Sequence, residues 1–410
     1  MSKFIKLNEV CIKITDGSHY SPVGDINGEY PMLSVKDMYD YGFKYNDCKL
    51  INRIDYEKLV KSDCKPQYND VLIAKDGSYL KHVFVIKNEI EQAILSSIGI
   101  LRPNLKKIVP EYLKYYLHSS FVKNEVAKKY VSGSALPRII LKNFGEIEIM
   151  NKPLLEQQKI ANILSSLDSK IELNNKINKE LETMAKTLYD YWFVQFDFPD
   201  ENGKPYKSSG GKMVYNQELK GEIPEKYRVK ELSDIANITM GQSPSGSSYN
   251  EKEEGIIFFQ GSTDFGLRFP TIRQYTTEPT RFAKKDDILL SVRAPVGTLN
   301  IADNDCCIGR GLASINSKDN KQSFLYYVMV YFKKIFDLRN ESGTTFGSIT
   351  KDDLYTLKLV YPSIQILEKF DYIVSVYNLK ILNNHKKNQE LAKLRDWLLP
   401  MLMNGQVKVK

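Results

Sequence analysis

Apolar residues recur along two long stretches of the chain at intervals that alternate between four and three residues. The stretches are 153–195 and 363–404, and each begins at or just after a proline, Pro153 or Pro362. An average period of about 3.5 residues is typical of a coiled-coil seam. Proline is tolerated at the start of a helix but not in its interior. The pattern therefore predicts two long helices.

The two predicted helices carry equivalent seam positions, offset by 210 residues. In the first helix these are Ile160, Leu164, Leu167, Ile171, Asn174, Asn178, Leu181, Ala185, Leu188 and Trp192. In the second they are Phe370, Val374, Tyr377, Ile381, Asn384, Asn388, Leu391, Arg395, Leu398 and Leu402. Pro400 and Gly405 are predicted to mark the end of the second helix.

Two asparagines lie one turn apart near the middle of each seam. If the helices pair antiparallel, Asn174 and Asn178 meet Asn384 and Asn388 in a central layer about a pseudo-two-fold axis. A buried asparagine in a seam lowers stability but fixes register and orientation. The alternative is that these asparagines are solvated neighbours in an ordinary helix bundle.

The offset extends beyond the helices, since Ser132-Gly133-Ser134 is matched by Ser342-Gly343-Thr344 and Ile139 by Ile349. Solenoid repeats have periods of roughly 20–50 residues, far shorter than this one. The pattern therefore indicates duplication of a whole domain together with its helix.

A block of mixed character precedes each helix, at 1–150 and 227–361. Both blocks contain an acid followed by an apolar run, Asp70-Val71-Leu72-Ile73 and Asp287-Ile288-Leu289-Leu290, which predicts a buried strand. Short helical segments and Gly-rich turns complete an α+β pattern. The helical regions are then 151–198 and 362–410. The segment 199–226 is rich in Gly, Pro and Ser and predicts a flexible linker.

The composition changes this picture little. The chain has 410 residues and a formal net charge of +8, which favours a polyanionic partner. No apolar run approaches the roughly 18–20 residues that span a bilayer, and the N-terminus lacks a signal-peptide core. The odd set of five cysteines has no CxxC pair, which is typical of reduced thiols in the cytoplasm.

No catalytic constellation emerges from the sequence. The chain lacks the paired prolines of adenine amino-methylases, a GxxxxGK[ST] phosphate loop and any zinc-like histidine spacing. Pro199-Asp200 with Glu218-Leu219-Lys220 matches the loose PD…ExK spelling of metal-dependent nucleases, whose acids must share a magnesium ion. Because Asp200 and Glu218 lie in or beside the predicted linker, nuclease activity is kept only as a minor alternative.

The duplicated helices and the connector FDFPDENGKPYKSSGGKMVYNQELKGEIPEKY (196–227) resemble the specificity (S) subunit of type I restriction–modification systems. The resemblance covers nearly the whole chain. It implies two target-recognition domains, each reading one half of a split DNA sequence, and helices that set their spacing. It also implies two methyltransferase (M) subunits docked on the helices and restriction (R) subunits bound through them.

The same resemblance implies that this chain is not itself an enzyme and holds no cofactor. S-adenosylmethionine, ATP and magnesium belong to the partner subunits. A stand-alone duplicated scaffold that presents two protein-binding domains is the other alternative.

The candidate DNA contacts are polar residues in or beside corresponding loops of the two blocks, since base edges are read chiefly by such side chains. In the first block they are Ser18, His19, Tyr20, Lys75, Ser78, Lys81, Ser134 and Arg138. In the second they are Gln242, Ser243, Ser245, Arg293, Arg310, Thr344 and Thr345. Arg138 and Arg293 are the strongest candidates, because arginine bound to guanine is the commonest specific contact. Each of these residues could instead be a solvated loop residue or a turn cap.

Overall fold

The computed structural model describes residues 3–76, 80–132, 138–341 and 348–409, without the side chains of 131, 132, 138, 335 and 338–341. The chain divides into two compact units. The first unit is Met1–Lys176 with Asn384–Lys410, and the second is Ile177–Asn383. No helix in the described ranges combines the length and apolar character needed to cross a membrane.

Helices and strands alternate in both units, so the α+β content predicted from the sequence is confirmed. The helices are α1 Leu7–Val10, α2 Arg53–Lys61, α3 Pro110–His118, α4 Ser120–Lys129, α5 Leu141–Gly145, α6 Leu154–Tyr189, α7 Leu232–Ile235, α8 Gln322–Glu341, α9 Lys351–Tyr355 and α10 Ile364–Met403. A π-helical turn, Asp190–Val194, extends α6, and short 3-10 turns occupy Val35–Asp37, Gly246–Ser248 and Ser262–Asp264.

The strands are short. Those of the first unit are β1 Phe4–Lys6, β2 Cys11–Asp16, β3 Tyr30–Leu33, β4 Met38–Tyr39, β5 Gly42–Phe43, β6 Lys49–Ile51, β7 Val71–Ala74, β8 Val83–Val85, β9 Ala93–Ile94, β10 Ile98–Pro103, β11 Val131–Ser132, β12 Arg138–Ile139 and β13 Glu148–Met150. Those of the second unit are β14 Met213–Asn216, β15 Gly221–Pro224, β16 Arg228–Glu231, β17 Ala236–Met240, β18 Tyr249–Asn250, β19 Ile256–Phe259, β20 Tyr275–Thr276, β21 Phe282–Ala283, β22 Ile288–Ser291, β23 Leu299–Ile301, β24 Cys306–Ile308, β25 Leu312–Ser317 and β26 Lys358–Tyr361.

The two units share one sheet connectivity. The central sheet has the order β2-β10-β7-β8 in the first unit and β17-β25-β22-β23 in the second, with antiparallel neighbours throughout. The predicted buried strands are β7 and β22, and every residue of both is buried. A parallel pair, β3 with β9 or β19 with β24, joins a second small sheet in each unit. The repeat seen in the sequence is therefore also a repeat of topology.

Segments of both long helices complete the core of each unit. In the first unit, Ile160 and Leu164 of α6 and Leu402 of α10 pack with the domain helix α3. In the second unit, Trp192 and Phe370 pack with α8. In the first unit the helix segments run antiparallel, since Asp168 pairs with Arg395 and Asn174 with Asn388. In the second unit they also run antiparallel, since Trp192 packs on Phe370 while Arg268 joins Glu182 to Asn378.

The second helix ends within one residue of the predicted bound at 404, and Pro400 does not terminate it. Pro400 lies inside α10, which continues to Met403, and Gly405 follows with a positive φ of 73°. Leu399, Leu402 and Met403 are buried in the core of the first unit. Their burial holds the last turn together although Pro400 cannot donate a backbone hydrogen bond there.

The connector at 199–226 is folded rather than flexible, which corrects the interpretation of its composition. Strands β14 and β15 form an antiparallel hairpin within it. Phe198 stacks between Tyr206 and Tyr227, with ring centroids 4.7 and 4.9 Å away. Asp197 accepts hydrogen bonds from the backbone and the hydroxyl of Ser208. Aromatic stacking of this kind orders a segment whose Gly, Pro and Ser content alone suggests disorder.

The pH dependence of the stability of the first unit is expected to come in part from His118, at the end of α3. Burial, helped by nearby Lys123, lowers the pKa of His118 to about 4 from its ordinary value of about 6.5. The unfolded chain therefore takes up the proton first, and stability present above about pH 6.5 is lost as the pH falls towards 4. The loss is at most ~3 kcal/mol. The measurement is the free energy of unfolding, from chemical denaturation, at pH 5 and at pH 7. The difference between the two values should be smaller in His118→Gln than in the unaltered chain. In the control His19→Gln it should equal that of the unaltered chain.

Candidate nucleic-acid interface

A glycine at the end of the first sheet strand fixes the same loop in each unit. A Cβ atom on Gly17 would lie 2.2 Å from the carbonyl oxygen of Ile94, and one on Gly241 would lie 2.2 Å from that of Gly309. The next residue donates its backbone N–H to the end of the strand opposite, from Ser18 to Ile94 of β9 at 2.8 Å and from Gln242 to Ile308 of β24 at 3.0 Å. Only glycine permits so close an approach of two backbones.

Two further segments meet this loop in each unit. The residue after the buried strand, Lys75 or Val292, donates its N–H to the turn before β10 or β25, at 2.9 Å in both cases. Its own carbonyl accepts from Ile139 at 3.2 Å or from Ile349 at 2.9 Å. The predicted correspondence of Ile139 with Ile349 is therefore present in the structure. Three loops converge at one edge of the central sheet, and most of the sequence-predicted residues lie on them.

In the first unit this edge carries Ser18, His19 and Tyr20. The Ser18 hydroxyl donates to the carbonyl of Tyr20 at 2.7 Å and accepts from its N–H at 3.1 Å, which closes a tight turn. The side chain of His19 is 77% exposed, and Tyr20 is 65% exposed. Ser18 therefore shapes the loop, while His19 and Tyr20 project from it.

Lys75 has a different environment from the exposed candidates. It is buried, and its ammonium donates to the Asp16 carboxylate at 2.5 Å. A buried, paired cation joins the loop after β7 to the end of β2, which suits an orienting role better than a base contact. Lys81 is exposed. Ser78, Ser134, Thr344 and Thr345 lie outside the described residues, as does the side chain of Arg138, whose backbone pairs with Ser132.

In the second unit the edge carries a polar network centred on Ser243. Its hydroxyl accepts from the Gln260 amide at 2.8 Å and from the backbone N–H of Arg310 at 3.3 Å. Gln242 is exposed beside it, and Ser245 is exposed with its hydroxyl 2.7 Å from that of Ser247. Sequence reasoning missed Gln260. Gln260 directly follows the apolar run Ile256–Phe259, as Lys75 follows the apolar strand in the first block, and this pattern could have identified it.

Arg293 and Arg310 both project from this edge. Each is exposed, and within the described part of the chain neither guanidinium forms an ion pair. Gly309 and Gly311 flank Arg310 and press against Gln260, since a Cβ on either would come within 3.0 Å of it. The backbone is thus held close to the sheet while the guanidinium of Arg310 stays in solvent. An unpaired, exposed arginine on a fixed loop can form a bidentate contact with a base edge or a phosphate.

The nuclease-like acids are not arranged as a metal site. Asp200 accepts from the backbone N–H groups of Asn202 and Lys204, both at 2.8 Å, and so closes its own turn. Glu218 instead pairs with Lys358 at 2.7 Å. Among the residues that the structure describes, no group of three potential His, Cys, Asp or Glu ligands could hold a metal ion.

The family model for the type I restriction modification DNA specificity domain matches the chain twice, over residues 2–183 and 224–393. The chain belongs to this family. Its two family domains each contain one of the sheet edges described above. Both matches also reach well into the long helices, which agrees with a duplicated unit of domain plus helix.

Named relatives agree with this assignment. A putative type I restriction enzyme specificity subunit, MjaX, of Methanocaldococcus jannaschii is 36% identical and aligned over 93% of this chain and 88% of its own length. The MjaIX specificity subunit of the same organism is 29% identical over the same shares. The crystal structure of a type I restriction-modification S subunit from M. genitalium has a TM-score of 0.53 at 17% identity, over 98% of this chain and 95% of that one. The last comparison supports the fold of the family.

The close approach at Gly241 gives a testable expectation. Gly241→Ala should destabilise the second unit by ~1–3 kcal/mol, because the new methyl group overlaps the carbonyl of Gly309. The readout is the thermal denaturation of the full chain. Gly246→Ala is the matched control, since a Cβ there meets nothing within 4 Å. Equal melting temperatures for the two variants would contradict the inferred constraint.

Proposed function

We propose that the chain is the DNA-specificity subunit of a type I restriction–modification complex, in which each unit reads one half of a bipartite double-stranded target. The observation that carries this proposal is the repeated sheet edge, where three loops converge in the same way in both units while the exposed side chains differ. Binding residues are commonly presented by variable loops on a rigid scaffold. Two such edges in one chain suit a target with two different halves.

Arg293 and Arg310 are the proposed base-reading residues of the second unit. Arginine contacts the O6 and N7 atoms of guanine through two parallel hydrogen bonds in the major groove. Exposed Gln242, whose backbone N–H donates to Ile308, has the amide group that pairs with adenine. In the first unit the exposed candidates are His19, Tyr20 and Lys81, and Arg138 stays a prediction. Ser18, Lys75 and Ser243 hold the loops in place.

The long helices form an antiparallel coiled coil about a pseudo-two-fold axis, whose length sets the spacing of the two half-sites. Support comes from the burial of seam residues such as Leu164, Ile171, Val374 and Ile381. The Asn174–Asn388 hydrogen bond supports a fixed register, because a polar pair in an apolar seam specifies alignment. Half-site spacing then follows from protein geometry, as it does for other two-headed DNA-binding proteins.

The outer faces of these helices dock two methyltransferase subunits, one at each unit, and restriction subunits bind through them. Large apolar side chains remain exposed there, including Leu173 at 57% and Trp397 at 58% in the first unit and Tyr372 at 76% and Leu379 at 60% in the second. Large apolar side chains left exposed on these helices are candidate contacts for protein partners. S-adenosylmethionine, ATP and magnesium then act in the partner subunits, and this chain contributes recognition and assembly.

The proposal is tested by sequencing, with detection of adenine methylation, the DNA of cells that express this chain with its neighbouring methyltransferase. We expect one split motif. Exchange of residues 1–150 for those of another family member should change one half of the motif and leave the other half unchanged. A chain that supports no methylated motif, before or after the exchange, would instead be a scaffold without DNA specificity.

Arg310→Ala and Arg293→Ala test the base contacts individually. Loss of a bidentate arginine contact should cost ~1–3 kcal/mol at one base pair and relax the motif at that position. Arg228→Ala is the control, since Arg228 is an exposed arginine on β16, away from the converging loops. The measurement is motif degeneracy in the same methylation sequencing. A motif that stays unchanged in either variant would remove that arginine from the set of base-reading residues.

A further inference from the structure

Buried polar clusters join the recognition domain to both long helices in each unit. In the first unit the cluster centres on Asp168 of α6, whose side chain is buried. Its carboxylate accepts from Tyr115 at 2.6 Å and Lys114 at 2.8 Å, both on the domain helix α3, and from Arg395 of α10 at 2.8 Å. One side chain therefore connects three separate elements.

The second unit reaches the same connection with different chemistry. Asn378 of α10 occupies the position that corresponds to Asp168 under the offset of 210, and Ala185 corresponds to Arg395. The cation now comes from the domain. Arg268 is 3% exposed, donates to Asn378 at 2.6 Å and lies 3.4 Å from Glu182 of α6. Its guanidinium also stacks over Tyr326 at 4.4 Å.

In both clusters the neighbouring groups stabilise the charged form of the central side chain. Although burial acts against its charge, the neighbouring Lys114, Tyr115 and Arg395 lower the pKa of Asp168 below its usual value. Burial likewise acts against the charge of Arg268, yet Tyr326, Tyr327 and Glu182 raise its pKa above the usual value. Removing one member of such a group leaves a buried charge without its partner. The geometry of the three elements is therefore tied to the geometry of the hydrogen bonds.

The orientation of each recognition domain on the helices affects where it meets a split target. A domain of 130–150 residues has a radius of gyration of about 14 Å, so its far edge lies on the order of 25–30 Å from the helices. Successive bases are about 3.4 Å apart along DNA. A tilt of roughly 7° at the helices would then move the reading edge by one base pair. Close packing of the apolar core opposes such a tilt by shape alone, and charged hydrogen bonds add a directional constraint.

We propose that Asp168 with Arg395, and Arg268 with Asn378, are positioning residues that lock the tilt of each recognition domain on the helices and so restrict the chain to one spacer length. This inference rests on the proposed function. The clusters touch neither base nor phosphate in this assignment. They act through the domain orientation, and the base-reading residues keep their identity when a cluster is weakened.

The test is methylation sequencing of cells that express the full chain with its methyltransferase, read out as spacer length as well as base identity. Asp168→Asn should keep both half-motifs and raise methylation of sites whose spacer differs by one base pair at least tenfold. Arg268→Lys should behave likewise from the other side. Asp396→Asn is the matched control, because the exposed Asp396 also contacts Arg395. It should leave the spacer unchanged.

Tyr115→Phe guards against loss of folding, since it removes one hydroxyl and leaves the carboxylate with both cations. It should broaden the spacer in the same direction, by a smaller factor. Reduced methylation at one unchanged spacer length in these variants would overturn the inference and assign the clusters to stability alone. Absence of any motif with the unaltered chain would instead overturn the proposed function, so the two failures are distinguishable.

Discussion

Burial of the apolar seam of the long helices against the recognition domains is the interaction on which each unit depends. Neither domain closes its core alone, because Ile160 and Leu164 complete one and Trp192 and Phe370 complete the other. Fully burying a large apolar side chain contributes roughly 1.5–3 kcal/mol, so a handful of seam residues supplies a sizeable part of the stability of a unit. A helix that is part of the core cannot act as a loose tether. The long helices and the recognition domain of each unit therefore share one hydrophobic core.

Polar groups buried between the helices and the domains fix the alignment of these elements. Burying the polar groups of the Asn174–Asn388 pair, of Asp168 and of Arg268 costs desolvation free energy that apolar side chains at the same places would not cost. Their value lies in geometry, because each is satisfied in only one alignment of the elements that it joins. The units solve this problem with different residues at equivalent places, which indicates that the constraint, rather than a particular ion pair, is common to both halves.

The converging loops of each unit show a comparable division between backbone framework and exposed side chains. Glycines at 17 and 241 and backbone bonds from Ser18 and Gln242 hold the loops in the same position in both units. The side chains on this backbone framework differ, since the Ser18 hydroxyl closes its own turn while the equivalent Gln242 is exposed. A duplicated chain can therefore present two dissimilar surfaces without changing the strand order beneath them.

The sequence by itself determined the long helices, the duplication and the buried strands, because these depend on local periodicity and on similarity between two segments of one chain. It also assigned the candidate contacts to corresponding loops of the two halves, a prediction that rests on the same similarity. Only the tertiary structure decided that Lys75 is buried against Asp16, that Gln260 joins Ser243, and that the connector is folded by a stack around Phe198. These features join residues from separate segments, and their burial and partners follow from packing that no local pattern encodes.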